Sequence, residues 1–177
     1  MKTVFSVIFL SILVVFNTQT AQAGANDGRL DIYWVDVEGG AATLIVTPQG
    51  ESILIDTGNP GIRDPQRIFN VVTREARLTK IDHLITTHYH RDHYGGASQL
   101  SKMISLGTVW DNGKFEDMPD DPGEDYFTFK AEARRVINPG AELPLKQTAK
   151  DARNRQTPLS FTCLGTRKKF IPAPRRA

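Results

Sequence analysis

The chain has 177 residues, of which 40% are hydrophobic and 24% charged, a composition typical of one globular domain rather than of a disordered protein. Its net charge of +2 combines two opposed regions. Residues 24–151 contain 14 Lys/Arg and 20 Asp/Glu, a net charge of −6, whereas residues 152–177 contain seven Lys/Arg and no acidic residue, a net charge of +7. Lys2 supplies the remaining +1. The acidic region argues against nucleic acid as a partner, because it repels phosphate backbones. The single cysteine, Cys163, excludes an intrachain disulfide.

The first 23 residues have the pattern of a secretory signal peptide. Lys2 supplies a positive start, residues 4–16 form an apolar run that only two serines interrupt, and Ala21-Gln22-Ala23 resembles a cleavage site. The apolar run is shorter than the roughly 20 residues that a membrane-spanning helix needs. We therefore expect cleavage after Ala23, a secreted or periplasmic protein, and no stable membrane anchor. An uncleaved anchor is the alternative.

The rest of the chain alternates runs of strand-forming residues with amphipathic stretches, an order that is typical of an α/β layered domain. Asp64 is expected to cap the first helix, with Pro65 at the first helical position. In chain order the sequence predicts strands at 30–37, 42–47 and 52–56, a helix with the apolar stripe Ile68, Val71, Val72 and Ala76, a strand at 83–87, a helix after Gly95-Gly96, a strand at 108–110, a turn at 111–113 and a helix at 126–136.

An acidic cluster lies between the predicted turn at 111–113 and the predicted helix at 126–136, in a stretch that prolines and a glycine interrupt. Its spacing is not that of a calcium-binding EF-hand loop. We interpret it as a solvated acidic loop, which contains Asp117, Asp120, Asp121, Glu124 and Asp125.

Four potential metal ligands lie within six residues: His88, His90, Asp92 and His93. Imidazole and carboxylate groups suit zinc and neighbouring divalent metals. The segment has no apolar face, and a bound cation offsets the cost of crowding its polar groups together. In an extended segment His88 and His90 point to the same side and can converge on one metal. Asp92 and His93 come where the chain turns toward a helix, so they can point to a neighbouring position. His83 lies outside this group and is interpreted as structural.

The segment His88-Tyr89-His90-Arg91-Asp92-His93 matches the His-x-His-x-Asp-His signature, and the chain resembles the metallo-beta-lactamase-fold hydrolases over about residues 30–113. Residues 54–58 resemble the first conserved segment of that superfamily, and residues 81–87 resemble the strand that delivers the histidines. Residues 36–42 resemble the ComEC-like competence branch, whose usual form is Asp-Val-Gly-Gln-Gly-Asp-Ala. The chain departs from that form at Glu38, Gly39 and Ala41.

The resemblance implies a metallo-beta-lactamase-like αββα sandwich and a hydrolase that uses metal-activated water on an ester, amide or phosphodiester bond. Its substrate would be a small molecule or a nucleotide-type compound. By the same resemblance, His88 and His90 ligate the first of two Zn²⁺ ions, with Mn²⁺ or Fe as alternatives, and Asp92 and His93 ligate the second. Asp92 is also the expected catalytic residue, because it helps to position the attacking water. Asp56 is expected to hold the histidine loop from outside the ligand set.

The second half of the family site has no counterpart in this sequence. No histidine follows His93, whereas a catalytic zinc normally takes three protein ligands. We expect residues 24–150 to form the N-terminal half of the sandwich, with the C-terminal half truncated. The composition changes after Asp151, and residues 151–177 are interpreted as a non-native or disordered tail from a frameshift or truncation. A genuine basic tail that binds anionic surfaces is the alternative.

Three functions therefore stay open for the chain. The first is an exported metal-dependent hydrolase. The second is a truncated, non-catalytic remnant that binds metal weakly or not at all. The third is a DNA-processing role, which the acidic charge of the site-bearing region disfavours.

Overall fold

The structure is a computed structural model that describes residues 24, 28–116, 118, 120–146, 150, 153–155 and 158–172. The predicted signal peptide, residues 1–23, lies outside the described residues. Six strands form a central sheet and two more form a small hairpin. The strands are β1 (Asp31–Trp34), β2 (Thr43–Val46), β3 (Ser52–Ile55), β4 (Lys80–Ile85), β5 (Ser105–Asp111), β6 (Ala133–Val136), β7 (Gly165–Thr166) and β8 (Lys169–Phe170).

The central sheet is mixed, with the order β1-β2-β3-β4-β5-β6. β1, β2 and β3 pair antiparallel, while β3, β4, β5 and β6 pair parallel. The five strands that the sequence predicts are confirmed as β1 to β5, although β4 and β5 each begin three residues earlier than expected. Because β3, β4 and β5 are parallel, the loops that follow them meet at one edge of the sheet, where open α/β sheets bind their ligands.

One face of the sheet is covered by helices. α1 (Arg63–Asn70) continues into a π-helical turn at Val71–Glu75, and α3 (Ala97–Leu100) packs beside it. The predicted apolar stripe is confirmed, since Ile68, Val72 and Ala76 are fully buried and Val71 is partly buried. Two further short helices are α2 (Arg91–Tyr94) and α4 (Glu124–Thr128). The stripe belongs to a core that includes the buried sheet residues Leu44, Leu54, Leu84 and Val109.

The start of α1 differs from the prediction. The helix begins at Arg63, and no side chain caps its N-terminus, so the expected cap by Asp64 is wrong. Asp64 is buried in the first turn, where its carboxylate accepts a hydrogen bond from the Asn59 backbone N–H at 2.8 Å and one from Arg63 Nε at 2.6 Å. This carboxylate fastens the loop after β3 to the helix, a role that depends on the tertiary path of the chain.

The helix predicted over residues 126–136 is also wrong. α4 ends at Thr128, and residues 133–136 form β6 beside β5. The backbone N–H of Glu132 donates to the carbonyl of Leu106 at 3.0 Å, which brings the chain alongside the edge of β5. Pairing with that edge gives hydrogen-bond partners to backbone N–H and C=O groups that would otherwise have none. Tertiary structure therefore overrides local helix propensity.

The opposite face of the sheet carries a second apolar cluster around Ile53, Ile85 and Trp110. Leu143 and Leu145 are buried against it, and the backbone N–H of Leu143 donates to the carbonyl of Phe161 at 3.0 Å. Phe161 and Cys163 are partly buried there as well. The described residues 158–172, which the sequence assigned to a non-native or disordered tail, thus contribute Phe161 and Cys163 to this cluster. Their origin in a frameshift stays a prediction.

Packing in the helix-covered core sets a first testable expectation. Leu54 lies on the central strand β3 and has no exposed surface. A Leu54→Ala variant should lose about 2–5 kcal/mol of unfolding free energy, because it removes buried methyl groups and leaves a cavity. The matched control is Leu164→Ala: that side chain is 63% exposed, so its truncation should change stability by less than about 0.5 kcal/mol. Denaturant unfolding measures both, and equal losses would contradict the assignment of this core.

The carboxylate of Asp82 in β4 binds Ser52 of β3 and should make the stability of the protein depend on pH in the acid range. Burial raises the pKa of Asp82, but the Lys80 ammonium at 2.7 Å and the Ser52 amide and hydroxyl, each at 3.0 Å, outweigh it and hold the pKa below its usual 3.8. A lowered folded-state pKa adds stability that is present above the unfolded-state pKa and is lost as the pH falls through the folded value. The wild type should therefore lose its stability advantage over Asp82→Asn as the pH falls below 3.8. Denaturant unfolding at several pH values measures this difference; a constant difference from about pH 5 down to pH 2 would refute it.

Candidate metal centre

The histidine segment forms the loop between β4 and α2, at the carboxyl edge of the sheet. β4 ends at Ile85, the backbone is extended at His90, and Asp92 and His93 lie in the short helix α2. Two backbone contacts tie this helix to neighbouring loops. Thr57 N–H donates to the carbonyl of His93 at 2.6 Å, and Ala41 N–H donates to the carbonyl of Asp92 at 3.1 Å.

A glycine permits the approach of the loop over residues 36–42 to Asp92. A Cβ atom on Gly40 would lie 2.4 Å from the carbonyl oxygen of Asp92, which is too close for any side chain. The neighbouring Glu38 has a φ of 59°, a left-handed conformation that favours glycine, and glycine is the residue in the usual form of this segment. The loop over residues 36–42 is thus built against the histidine segment.

Asp56 is buried beneath the loop and binds it at three points. Its Oδ1 accepts the Thr87 backbone N–H at 2.8 Å, and its Oδ2 accepts the Thr87 hydroxyl at 2.7 Å. His93 Nδ1 lies 2.8 Å from the same Oδ2. Asp56 has a φ of 60°, so the chain adopts an uncommon backbone conformation at the residue that makes these contacts.

These contacts determine which imidazole nitrogens carry hydrogen. An ionised carboxylate only accepts, so His93 must donate through Nδ1–H. The Thr87 hydroxyl donates to Asp56, so its oxygen accepts from His88 Nδ1–H at 3.0 Å. In its neutral form each of these histidines therefore has its lone pair on Nε2, the tautomer in which imidazole ligates a metal through that atom.

The structure brings the three loop imidazoles together. The ring centroids of His88 and His93 are 4.0 Å apart, and those of His88 and His90 are 4.5 Å apart. Asp92 Oδ2 lies 3.9 Å from His93 Nε2. Partial burial and the neighbouring His93 and His90 rings lower the pKa of His88 below its usual 6.5, which favours the neutral imidazole. His83 lies apart from this group, buried between Glu51 and Trp110.

Residues 35–159 match the family profile described as the metallo-beta-lactamase superfamily, and this match spans most of the chain, including the histidine loop. The chain belongs to the metallo-beta-lactamase superfamily. It is 33% identical over 102 residues to a UPF0173 metal-dependent hydrolase of Polynucleobacter asymbioticus, a match that covers 56% of this chain and 33% of the relative. It is 31% identical over 104 residues to the atrochrysone carboxyl ACP thioesterase of Emericella nidulans, covering 57% and 33%.

Among solved structures, the subclass B3 metallo-beta-lactamase MEM-A1 from a soil metagenome library matches with a TM-score of 0.46 and 25% identity. That match covers 71% of this chain and 47% of MEM-A1. The chain spans about a third of the length of these curated relatives. The central sheet with its helices corresponds to the α/β fold that the sequence predicts.

The donor chemistry of the histidine loop fits the divalent metals that the superfamily implies. His88 and His93 present Nε2 lone pairs, and Asp92 adds a carboxylate beside them. Within the described residues, however, no group of three or more His, Cys, Asp or Glu side chains already has the geometry of a complete metal site. The types and orientations of these donor groups thus fit a metal ion, but the side chains would have to move closer together to coordinate one.

Sequence reasoning missed a residue that connects the site. Thr87 joins Asp56, His88 and His93 through one hydroxyl group and one amide. It precedes the signature, and only its position directly before His88 offered a signal.

A buried network under the loop was also missed. Asp111, expected in a turn, is the buried last residue of β5, where its carboxylate binds Arg134 and accepts the Tyr126 hydroxyl at 3.1 Å. Its Oδ1 accepts Gly113 N–H at 2.8 Å, and the Gly113 carbonyl in turn accepts the hydroxyl of buried Tyr89 at 3.1 Å. Since Tyr89 separates His88 from His90, this network supports the loop from below.

Proposed function

We propose that this protein is an exported metal-dependent hydrolase that cleaves an ester, amide or phosphodiester bond of a small-molecule or nucleotide-type substrate. One observation carries the proposal. Asp56 and Thr87 hold His93 and His88 through their Nδ1 atoms, which leaves Nε2 of both rings for a cation at the carboxyl edge of the sheet. A structural histidine pair needs no such arrangement, whereas metal-ligating histidines regularly have a carboxylate behind them.

We assign His88 and His90 to a first cation and Asp92 and His93 to a second. Zn²⁺ suits this mixture of imidazole and carboxylate, and Mn²⁺ and Fe are the alternatives. A cation bound here supplies Lewis-acid activation of water near neutral pH. Asp92 orients that water as the catalytic residue, and Asp56 keeps the His93 imidazole in its ligating tautomer and orientation.

A small cavity of about 120 Å³ supports a compact reacting group. It is smaller than the roughly 300–1,000 Å³ of a typical complete ligand pocket, so it accommodates the scissile end of a substrate and not a whole drug-sized molecule. Asn112 offers an amide and Phe115 an apolar surface beside the histidines. The lining residues are His88, Tyr89, His90, Asn112, Phe115 and Asp120.

The two relatives support hydrolysis as the reaction class, since one is named a metal-dependent hydrolase and the other a thioesterase. Nucleic acid is disfavoured as a substrate, because the region that carries the loop is acidic and Asp120 lies beside His90, where it repels phosphate backbones. These arguments leave ester, amide and phosphodiester bonds of small molecules as the substrates to test.

Export is supported by the N-terminal pattern and by one contact at the predicted cleavage position. Gly24, the first residue after Ala23, is buried, and its backbone nitrogen donates to Asp31 Oδ2 at 2.8 Å. Cleavage there would make this nitrogen the terminal amine, which pairs with a carboxylate more strongly than an amide does. In the described residues no helix is long and apolar enough to cross a membrane. Mass spectrometry of protein from an exporting host should show Gly24 as the first residue, and an intact Met1 end would refute cleavage.

Metal analysis combined with hydrolysis assays tests the proposed reaction. Purified protein is loaded with Zn²⁺ or Mn²⁺ and assayed on generic ester, beta-lactam and phosphodiester substrates, alongside a His88→Ala variant. Metal-dependent turnover that the variant lacks supports a hydrolase. Bound metal without turnover on any substrate refutes the hydrolase proposal and identifies a non-catalytic metal-binding remnant. Folded protein without bound metal refutes both.

A further inference from the structure

Asp120 lies directly against the second histidine of the loop. Its Oδ2 is 3.1 Å from His90 Nε2, and it lines the same small cavity as His88 and His90. Sequence reasoning placed Asp120 in a solvated acidic loop, and neither the signature nor its spacing points to it. The structure therefore brings a carboxylate to the histidine pair from a separate part of the chain.

One ion pair links the residues that flank the loop carrying Asp120. Lys114 Nζ and Glu124 Oε1 are 2.5 Å apart, which closes the loop at its base. Asp121 points elsewhere, since its Oδ1 accepts the backbone N–H of Gly123 at 2.8 Å. Of these two adjacent aspartates, Asp120 is therefore the one that contacts the histidine loop, and Asp121 serves as its internal comparison.

The two donor atoms are at hydrogen-bonding distance, slightly closer together than two ligands on one ion. In tetrahedral zinc sites, metal–nitrogen distances of about 2.0–2.1 Å and metal–oxygen distances of about 2.0–2.2 Å place two donors about 3.3–3.5 Å apart. Asp120 Oδ2 and His90 Nε2 are 3.1 Å apart, so a shift of a few tenths of an ångström would let both contact one ion. Both side chains are also accessible, with 46% and 61% of their surfaces exposed, so an ion can reach them.

We propose that Asp120 is the third protein ligand of the cation held by His88 and His90. This inference rests on the proposed function. Catalytic zinc sites commonly use three protein ligands, and two imidazoles with one carboxylate are an established set. Asp120 Oδ2 lies 3.1 Å from His90 Nε2 and lines the same cavity as His88, so it supplies a third donor beside the two imidazoles. The first site then consists of His88, His90 and Asp120, beside the pair Asp92 and His93.

Cobalt spectroscopy of cysteine variants tests the ligand directly. Asp120→Cys loaded with Co²⁺ should show a thiolate-to-cobalt charge-transfer band, because a coordinating thiol is deprotonated by the metal. Asp121→Cys is the matched control and should show no band beyond that of the wild type, which contains Cys163. A band in both variants, or in neither when Co²⁺ is bound, would overturn the inference.

Affinity measurements separate this inference from the proposed function. Zn²⁺ affinity, measured by competition with a chelator, should fall at least about 10-fold in Asp120→Asn and stay unchanged in Asp121→Asn. Asp120→His should retain more affinity than Asp120→Asn, since imidazole is also a zinc ligand. If the wild type binds no metal, the proposed function fails. If the wild type binds metal and Asp120→Asn binds it equally well, only the role of Asp120 is refuted.

Discussion

Replacing His88 with alanine should lower the affinity of the folded protein for Zn²⁺ by more than about 100-fold, because removing a residue that merely orients a ligand already costs about 10–100-fold. The side chain is half-buried and its hydrogen bond within the protein is to the Thr87 hydroxyl. Stability should therefore fall by only about 1 kcal/mol. Metal content after dialysis and chelator competition measure the affinity, and denaturant unfolding measures the stability.

The matched control for His88→Ala is His83→Gln, which removes the one imidazole outside the loop. His83 is buried with Glu51 and Trp110, so this variant should lose stability and keep its bound metal. Equal metal binding by wild type and His88→Ala would refute the assignment of the loop as a metal site. Loss of metal in His83→Gln while the protein stays folded would show that the site lies elsewhere.

Asp56→Asn should weaken Zn²⁺ binding by about 10–100-fold without removing any ligand atom. The asparagine amide would donate toward His93 Nδ1, where the carboxylate now accepts. His93 would then carry its hydrogen on Nε2, the nitrogen that is to bind the metal. Because Asp56 is buried and also accepts two bonds from Thr87, a loss of about 1–3 kcal/mol in stability should accompany the change.

Asp64→Asn provides the comparison for Asp56→Asn. Asp64 is an equally buried carboxylate on the same side of the sheet, but it binds Asn59 and Arg63 and makes no contact with a histidine. This variant should lose stability and keep the metal affinity of the wild type. Chelator competition on both variants, corrected for the folded fraction, distinguishes them. If both lose affinity to the same extent, Asp56 acts only through stability and its role at His93 is refuted.

The parts of the fold that the sequence predicts are those with a local physical signal. The buried strand β3 is a short apolar run in the sequence. The apolar stripe of Ile68, Val72 and Ala76 is visible in the sequence because one face of this helical segment packs on the sheet. The local signal is weaker after residue 113, where the helix predicted at 126–136 was wrong. There, Arg134 pairs with the buried carboxylate of Asp111, and β6 forms on an edge that only the folded sheet provides.

The candidate site follows the same rule. His88, His90, Asp92 and His93 are adjacent in sequence, so their residue types alone indicate a metal. Asp56 was predicted from family resemblance, and the structure shows that its carboxylate contacts His93 and Thr87. Asp120 is 30 residues from His90, and its approach depends on how the loop after β5 folds back. No periodicity or spacing rule relates positions that only tertiary structure brings together.

Anomalous X-ray diffraction at the zinc absorption edge, on crystals grown with Zn²⁺, tests the central claim most directly, because it locates the ion rather than inferring it. We predict an anomalous peak within coordination distance, about 2.0–2.2 Å, of imidazole nitrogens of the loop from His88 to His93. Well-folded protein whose crystals show zinc elsewhere, or none at this loop, would contradict the account.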